Sequence, residues 1–254
     1  MEKLFTIPTL DNHRIYGVLN YPSRTHSPAE PTQVVCFIHS LSGHMHEHVY
    51  FNAARYFTNY GLATCRFDLY SGEKDARRLQ DSTITTHVSD TDLIIEMLAK
   101  NYEHIGLVGH SLGGIVALMT KMDKIKALTL WEPTYDLSNQ MEAWGIGIAT
   151  AHGRILDFGQ QIIIGEQMYH EMKECPRGES LIATLDKPVK IIAAEKGVLV
   201  AGCTDYFRNA KQPKELAIIH GAGHNFNEEG TEEELFHSTM DWFSQWLTNS
   251  LMRR

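Results

Sequence analysis

The stretch His104-Ile105-Gly106-Leu107-Val108-Gly109-His110-Ser111-Leu112-Gly113-Gly114-Ile115-Val116-Ala117-Leu118-Met119 decides how the chain is read. Its first half reads as a buried strand and its last five residues as an apolar helix, with a glycine-flanked serine between them. In such a strand-turn-helix the serine occupies a sharp, strained turn with its hydroxyl exposed, which makes Ser111 the candidate nucleophile. Gly109 and Gly113 stand two residues to either side, where strand and helix backbones come so close that a Cβ would clash, and Gly114 extends that clearance. The helix from Leu112 offers free backbone NH groups and its positive dipole end to negative charge forming beside Ser111.

Strands of the same kind lie on both sides. Val34 to Ile38 is a continuous apolar run, as expected of a strand covered on both faces, and Leu62 to Phe67, Ile125 to Leu130, Val189 to Ala194 and Leu216 to Ile219 read as further strands. Helical spacing connects them at Val49 to Tyr60, Asp90 to Leu98 and Thr231 to Leu247. At the start, Lys3 to Pro8 and Arg14 to Tyr21 alternate, with Leu10-Asp11-Asn12-His13 between them, and predict an edge hairpin. The proline-rich stretch from Pro22 to Pro31 is a surface connection. Strands alternating with helices specify an α/β chain with a doubly wound, mostly parallel sheet.

A length of 254 residues fits one such domain, and 43% hydrophobic with 21% charged residues leaves enough apolar surface for a sheet core. The net charge of -8 opposes phosphate backbones and anionic membranes, so neither nucleic acid nor a membrane is expected as a partner. No 18-residue apolar run and no secretory signal core is present, and the expectation is a soluble, cytoplasmic protein. Cys36, Cys65, Cys175 and Cys203 lack metal spacing, and the first two read as buried free thiols.

Residues 134 to 187 interrupt the alternation, too long for a connection and too apolar for a linker. A cap is expected there, its apolar surface coming from Met141, Trp144, Ile146, Ile148, Ile155, Leu156, Phe158, Ile162, Ile163, Ile164, Met168 and Tyr169. Some of these would line a substrate pocket.

A serine hydroxyl needs a base, and the base needs a group that holds its tautomer. Of 14 histidines, His224 is the candidate base, because His220-Gly221-Ala222-Gly223-His224-Asn225-Phe226 follows the last strand as a glycine-rich loop at the carboxyl edge of the sheet.

With the edge hairpin, His39-Ser40-Leu41-Ser42-Gly43, Arg66-Phe67-Asp68, Gly109-His110-Ser111-Leu112-Gly113-Gly114, the cap and Gly221-Ala222-Gly223-His224 in place, nearly the whole chain resembles the α/β-hydrolase superfamily. It is most similar to the cap-bearing carboxylesterases, in particular the cinnamoyl or feruloyl esterase-like branch. The resemblance implies an eight-stranded sheet, the chain order nucleophile, acid, histidine, and an oxyanion hole from two backbone NH groups. Leu112 would supply one and Leu41 the other; Ser40 stands where the family usually has glycine.

The acid departs from the family pattern. In Glu195-Lys196-Gly197-Val198-Leu199-Val200 a glycine, Gly197, stands where the resemblance implies an aspartate. Three carboxylates compete for the role. Glu132, in Leu130-Trp131-Glu132-Pro133, follows the strand after the nucleophile helix, a position used by certain lipases and haloalkane dehalogenases, and it ranks ahead of Asp205 and Glu195.

Other signals are weaker. His44, His46 and His48 alternate as ligands on a strand would, but they lead into a helix, so no metal site is expected. Asp68 reads as an anchor of loop backbone, and the run of glutamates from Glu228 to Glu234 as a solvated helix start. The residues together lead to the expectation of a serine hydrolase acting on a small carboxylic ester or thioester, without a cofactor. Acyl transfer to another acceptor, and a catalytically impaired ligand-binding homologue, are the alternatives.

Overall fold

The computed structural model describes residues 1–23, 31–143, 148–157, 159 and 161–247. In chain order the elements are β1 (Glu2–Pro8), β2 (Arg14–Asn20), β3 (Gln33–Ile38), α1 (His48–Asn59), β4 (Ala63–Phe67), a 3-10 turn (Leu79–Asp81), α2 (Ile84–Leu98), β5 (His104–His110), α3 (Leu112–Met119) and β6 (Ile125–Trp131). There follow α4 (Leu137–Ala143), β7 (Ala149–Thr150), β8 (Gly153–Asp157), β9 (Gln161–Ile164), α5 (Glu166–Glu174), α6 (Gly178–Thr184), β10 (Val189–Ala194), α7 (Val200–Asn209), β11 (Lys214–Ile219) and α8 (Thr231–Trp246).

Eight strands form one sheet in the order β1-β2-β4-β3-β5-β6-β10-β11. β1 and β2 are an antiparallel hairpin, β2 runs antiparallel to β4, and the other neighbours are parallel. This is the doubly wound, mostly parallel eight-stranded sheet that the resemblance implied. The inner strands β3, β4, β5 and β10 are buried on both faces because successive side chains alternate, whereas β11, at the sheet edge, is only partly buried and exposes Ile218. Val34, Cys36 and Ile38 of β3 enter a core with Ile94, Leu98, Val116 and Tyr206 from α2, α3 and α7. Val35 and Phe37 enter the opposite core with Val49, Phe57, Trp242 and Phe243 from α1 and α8. Cys36, Cys65 and Cys203 are buried free thiols, and Cys175 is partly buried.

Two helices differ from the expectation. α2 starts at Ile84, six residues before Asp90, because Thr83 and Thr86 form a reciprocal capping box ahead of the apolar repeat. α7 carries too few apolar positions to show in the pattern, and buries only Cys203 and Tyr206.

Between β6 and β10 the chain folds as α4, a small antiparallel sheet of β7, β8 and β9, and the helices α5 and α6. Its Leu137, Met141, Leu156, Ile164, Met168 and Met172 share a third core with Leu41, Ile84, Leu112 and Ile115, and Ile162 and Tyr169 pack against it. Ile155 and Ile163 are half-buried, and Ile148 is exposed. Trp144, Ile146 and Phe158 lie outside the described residues. No helix among the described residues is long and apolar enough to cross a membrane.

The interior also holds imidazoles. His39, His87 and His110 are buried, and burial is the leading cause that lowers each of them from the ordinary 6.5, the latter two to about 3. A histidine depressed in the folded state binds fewer protons there than when unfolded, so its contribution is intact above about pH 6.5 and is lost as pH falls toward 3. Asp90 and Glu47, raised chiefly by burial, act in the opposite sense from a lower starting value. We therefore expect the urea midpoint to be lower at pH 5 than at pH 7.5. Equal midpoints would show that these imidazoles do not stay neutral on folding.

Candidate active site

Every loop expected to carry chemistry leaves the carboxyl edge of the sheet: 39–47 after β3, Ser111 after β5, Glu132 after β6, Gly197 after β10 and His224 after β11. That is where an open α/β sheet binds its ligands. Ser111 has φ 54 and ψ -118, a left-handed conformation that costs an L-residue of order 1 kcal/mol or more. The turn is tight enough that a Cβ on Gly109 would meet Gly113 O at 2.4 Å, and one on Gly113 would meet Ile38 O at 2.4 Å. Leu112 opens α3, so its amide has no acceptor one turn earlier in the helix.

Four non-glycine residues with positive φ mark these loops. They are Ser42 beside Leu41, Ser111, Glu132 (φ 38) and Phe226, two residues after His224; Asn12, in the hairpin turn, is the other described one. Strain of this kind persists only where the surroundings over-determine it, and it collects at functional sites. Ser40 is not among them, so its replacement of glycine carries no penalty from a left-handed backbone.

In contrast to the exposed hydroxyl expected from the sequence, Ser111 is only 8% accessible. Residues beyond β6 enclose it. Ser111 N donates to Trp131 O (3.1 Å), Thr134 N donates to Ser111 O (3.0 Å), and the two hydroxyls, Ser111 Oγ and Thr134 Oγ1, lie 3.4 Å apart. Thr134 gave no signal in the sequence, since nothing in its spacing links it to position 111.

Glu132 is fully buried, and its Oε1 accepts from Leu199 N at 2.8 Å. Its Oε2 lies 3.7 Å from His224 Nδ1, just outside hydrogen-bond range. Neither atom has a hydrogen-bond partner among the described residues. Gly197 explains how the carboxylate fits. A Cβ there would stand 1.9 Å from Glu132 Oε1 and 2.0 Å from Oε2, so the space beside the glycine is filled by the carboxylate of Glu132. Gly197 itself is not left-handed, and the carboxylate is what excludes a side chain.

The other two carboxylates are engaged elsewhere. Asp205 lies on α7 and pairs with Arg208 at 3.1 Å. Glu195 pairs with His220 Nδ1 (3.1 Å) and accepts from Gly221 N (2.8 Å), which ties down the start of the His224 loop.

The remaining polar groups brace the same loops. Asp68 Oδ1 accepts from Met45 N (2.6 Å) and Arg66 donates to Met45 O (3.0 Å), the loop anchoring expected of Asp68. The glutamate run does more than solvate a helix end: Glu228 accepts from Gly223 N at 2.9 Å, and Glu232 pairs with His48 at 2.5 Å and accepts from Asn52 at 2.8 Å. His44 Nδ1 accepts from His46 N at 3.1 Å. Among the described residues no group of three or more His, Cys, Asp or Glu side chains comes together as a metal site.

Comparison with known proteins bears on the fold and the family. No curated protein matches the chain. Among solved structures, Est1E from Butyrivibrio proteoclasticus with ferulic acid bound superposes with a TM-score of 0.81 at 18% identity, over 96% of this chain and 100% of that one. The esterase domain of a Rhodothermus marinus protein gives 0.75 at 19% identity, over 98% and 100% of the two chains. A monoacylglycerol lipase from Paleococcus ferrophilus gives 0.68 at 18% identity, over 91% and 98%. At such identities the likeness is one of fold. The family model described as serine aminopeptidase, S33, matches residues 29–158, just over half of the sequence. The chain therefore belongs to this family of α/β hydrolases.

Proposed function

We propose that the protein is a serine hydrolase that cleaves small carboxylic esters or thioesters through an acyl-enzyme, with Ser111 as nucleophile, His224 as base and Glu132 as the acid behind it. The observation that carries this reading is the buried carboxylate of Glu132, 3.7 Å from His224 Nδ1 and seated in the space that Gly197 leaves open. A carboxylate there favours the proton on Nδ1 and leaves Nε2 free to act as base.

In the first half-reaction Ser111 Oγ attacks the acyl carbon as its proton passes to His224 Nε2. The amides of Leu112 and Leu41 receive the oxyanion, and the imidazolium returns the proton to the departing alcohol or thiol. Water, deprotonated by the same imidazole, then attacks the acyl-enzyme, releasing the acid and restoring Ser111. Small shifts convert the resting geometry to the working one: closing the Glu132–His224 gap by a few tenths of an ångström makes a hydrogen bond, and rotation about the Ser111 Cα–Cβ bond carries the hydroxyl away from Thr134.

We read the segment 134–187 as a cap over this site, its apolar core continuous with Leu41 and Leu112 and suited to an apolar acyl group. The alternative of an impaired ligand-binding homologue draws on the missing aspartate at Gly197 and on Ser40, whose backbone is not left-handed. Glu132 fills the space beside Gly197, which favours the catalytic reading.

A panel of p-nitrophenyl esters of increasing acyl length, with a serine-reactive phosphonate as inhibitor, tests the function. Turnover should be lost on phosphonate labelling, the label should map to Ser111, and Ser111→Ala should lower turnover by about 10⁶, as for the nucleophile of subtilisin. Label at another residue, or an active Ser111→Ala variant, would refute the assignment. For the acid, Glu132→Gln should lower turnover by orders of magnitude, up to about 10⁴ in the serine-protease precedent, and far more than Asp205→Asn; the reverse ordering overturns it. Gly197→Ala should also impair turnover, by about 10², because its methyl group displaces the carboxylate. An unimpaired Gly197→Ala enzyme would show that the position of the carboxylate is immaterial.

A further inference from the structure

Two buried polar side chains beside the site take no part in the proposed reaction. His110 is the last residue of β5 and precedes Ser111; Tyr50 lies in the first turn of α1. Both are 1% accessible. Their hydrogen bonds run in a single direction. Ser40 N donates to Tyr50 Oη at 3.0 Å. An amide can only donate, so the phenol is the acceptor there, and its own hydrogen goes to His110 Nδ1 at 2.8 Å. His110 Nδ1 is therefore bare and the ring proton is on Nε2, which donates to His224 O at 3.0 Å. The two ends, an obligate donor and an obligate acceptor, dictate the tautomer between them.

The partners at each step are informative. Ser40 precedes Leu41, the proposed oxyanion donor; His110 precedes the nucleophile; the carbonyl at the far end belongs to the base itself. Tyr50 also stacks on Trp131, the residue before Glu132, with ring centroids 6.5 Å apart and planes 1° from parallel.

We propose that Tyr50 and His110 are positioning residues, a two-link hydrogen-bond chain held in one tautomer that sets the spacing of the loops carrying the oxyanion donor, the nucleophile and the base. The proposal rests on the reading of the site given above. Its chemistry suits that site. His110 and His224 rings are 5.1 Å apart, and a second cation at that distance would oppose the imidazolium formed in catalysis. Burial, helped by the neighbouring histidines 224, 48 and 39, keeps His110 neutral against the pull of the carbonyl, down to about 3.

Two measurements decide it. In histidine-labelled protein, assigned by comparison with His110→Gln, ¹⁵N spectra should show His110 with a bare Nδ1 and a protonated Nε2, unchanged from about pH 5 to 9. The opposite tautomer, or titration within that range, overturns the chain. In kinetics, Tyr50→Phe should lower kcat by about 10² with KM within about threefold, since loop misplacement of about 1 Å costs that much. Tyr50→Phe with His110→Ala should be no worse than the poorer single variant, because both break one chain. Unchanged kcat in Tyr50→Phe, or a double variant whose loss is the product of the two single losses, sinks the proposal. If the wild type neither cleaves esters nor takes the phosphonate, it is the functional reading that fails, and the spectra still decide whether the chain exists.

Discussion

A charged carboxylate held away from water is costly, by several kcal/mol even after relaxation, unless donors and an opposite charge surround it. The carboxyl group of Glu132 is removed from water in this way. It is fully buried, bonded through one oxygen to Leu199 N and facing His224 Nδ1 with the other. Its backbone is left-handed, and the glycine at 197 keeps clear the volume that the carboxylate occupies. Burial and the left-handed backbone are unfavourable alone, and the bond from Leu199 N offsets part of the first. Together they place one buried carboxyl group 3.7 Å from one imidazole.

The sheet supplies the rigidity that this arrangement needs. Parallel strands, the inner ones buried on both faces, end at one edge, and the loops leaving that edge carry Leu41, Ser111, Glu132 and His224. The segment 131–134 links two of them directly, because Trp131 and Thr134 bond the backbone of Ser111 while Glu132 reaches His224. Ser111 and Glu132 are thus joined through backbone hydrogen bonds, and the strain at both is sustained by bonds across β5 and β6. The loop that carries His224 is tied separately, by Glu195 at Gly221 and Glu228 at Gly223.

Much of this was legible in the sequence because it depends on local pattern. Buried strands announce themselves as apolar runs, and the elbow as glycines spaced about a serine. Glu132 was legible as a substitute only because Gly197 broke the expected pattern; that the two compete for one volume is a contact across 65 positions, which no spacing rule displays. The accessibility of Ser111 was misread for a related reason: the turn itself projects the hydroxyl, while Thr134 and its neighbours, 23 positions downstream, enclose it. The strands β7, β8 and β9 are two to five residues long, below the length at which alternation is readable. The start of α2 did leave a trace, the threonine pair of its cap, which lies outside the apolar repeat.

The central claim is that the site requires a carboxylate in one volume, whichever position supplies it. The direct test moves it: Glu132→Gly removes the carboxylate and relieves the left-handed backbone, and Gly197→Asp then offers a replacement from the opposite loop at a position whose backbone accepts a side chain. The account predicts that Glu132→Gly alone loses most esterase turnover and that adding Gly197→Asp recovers at least about tenfold, roughly 1.4 kcal/mol of transition-state stabilisation. A folded double variant no more active than Glu132→Gly would contradict it.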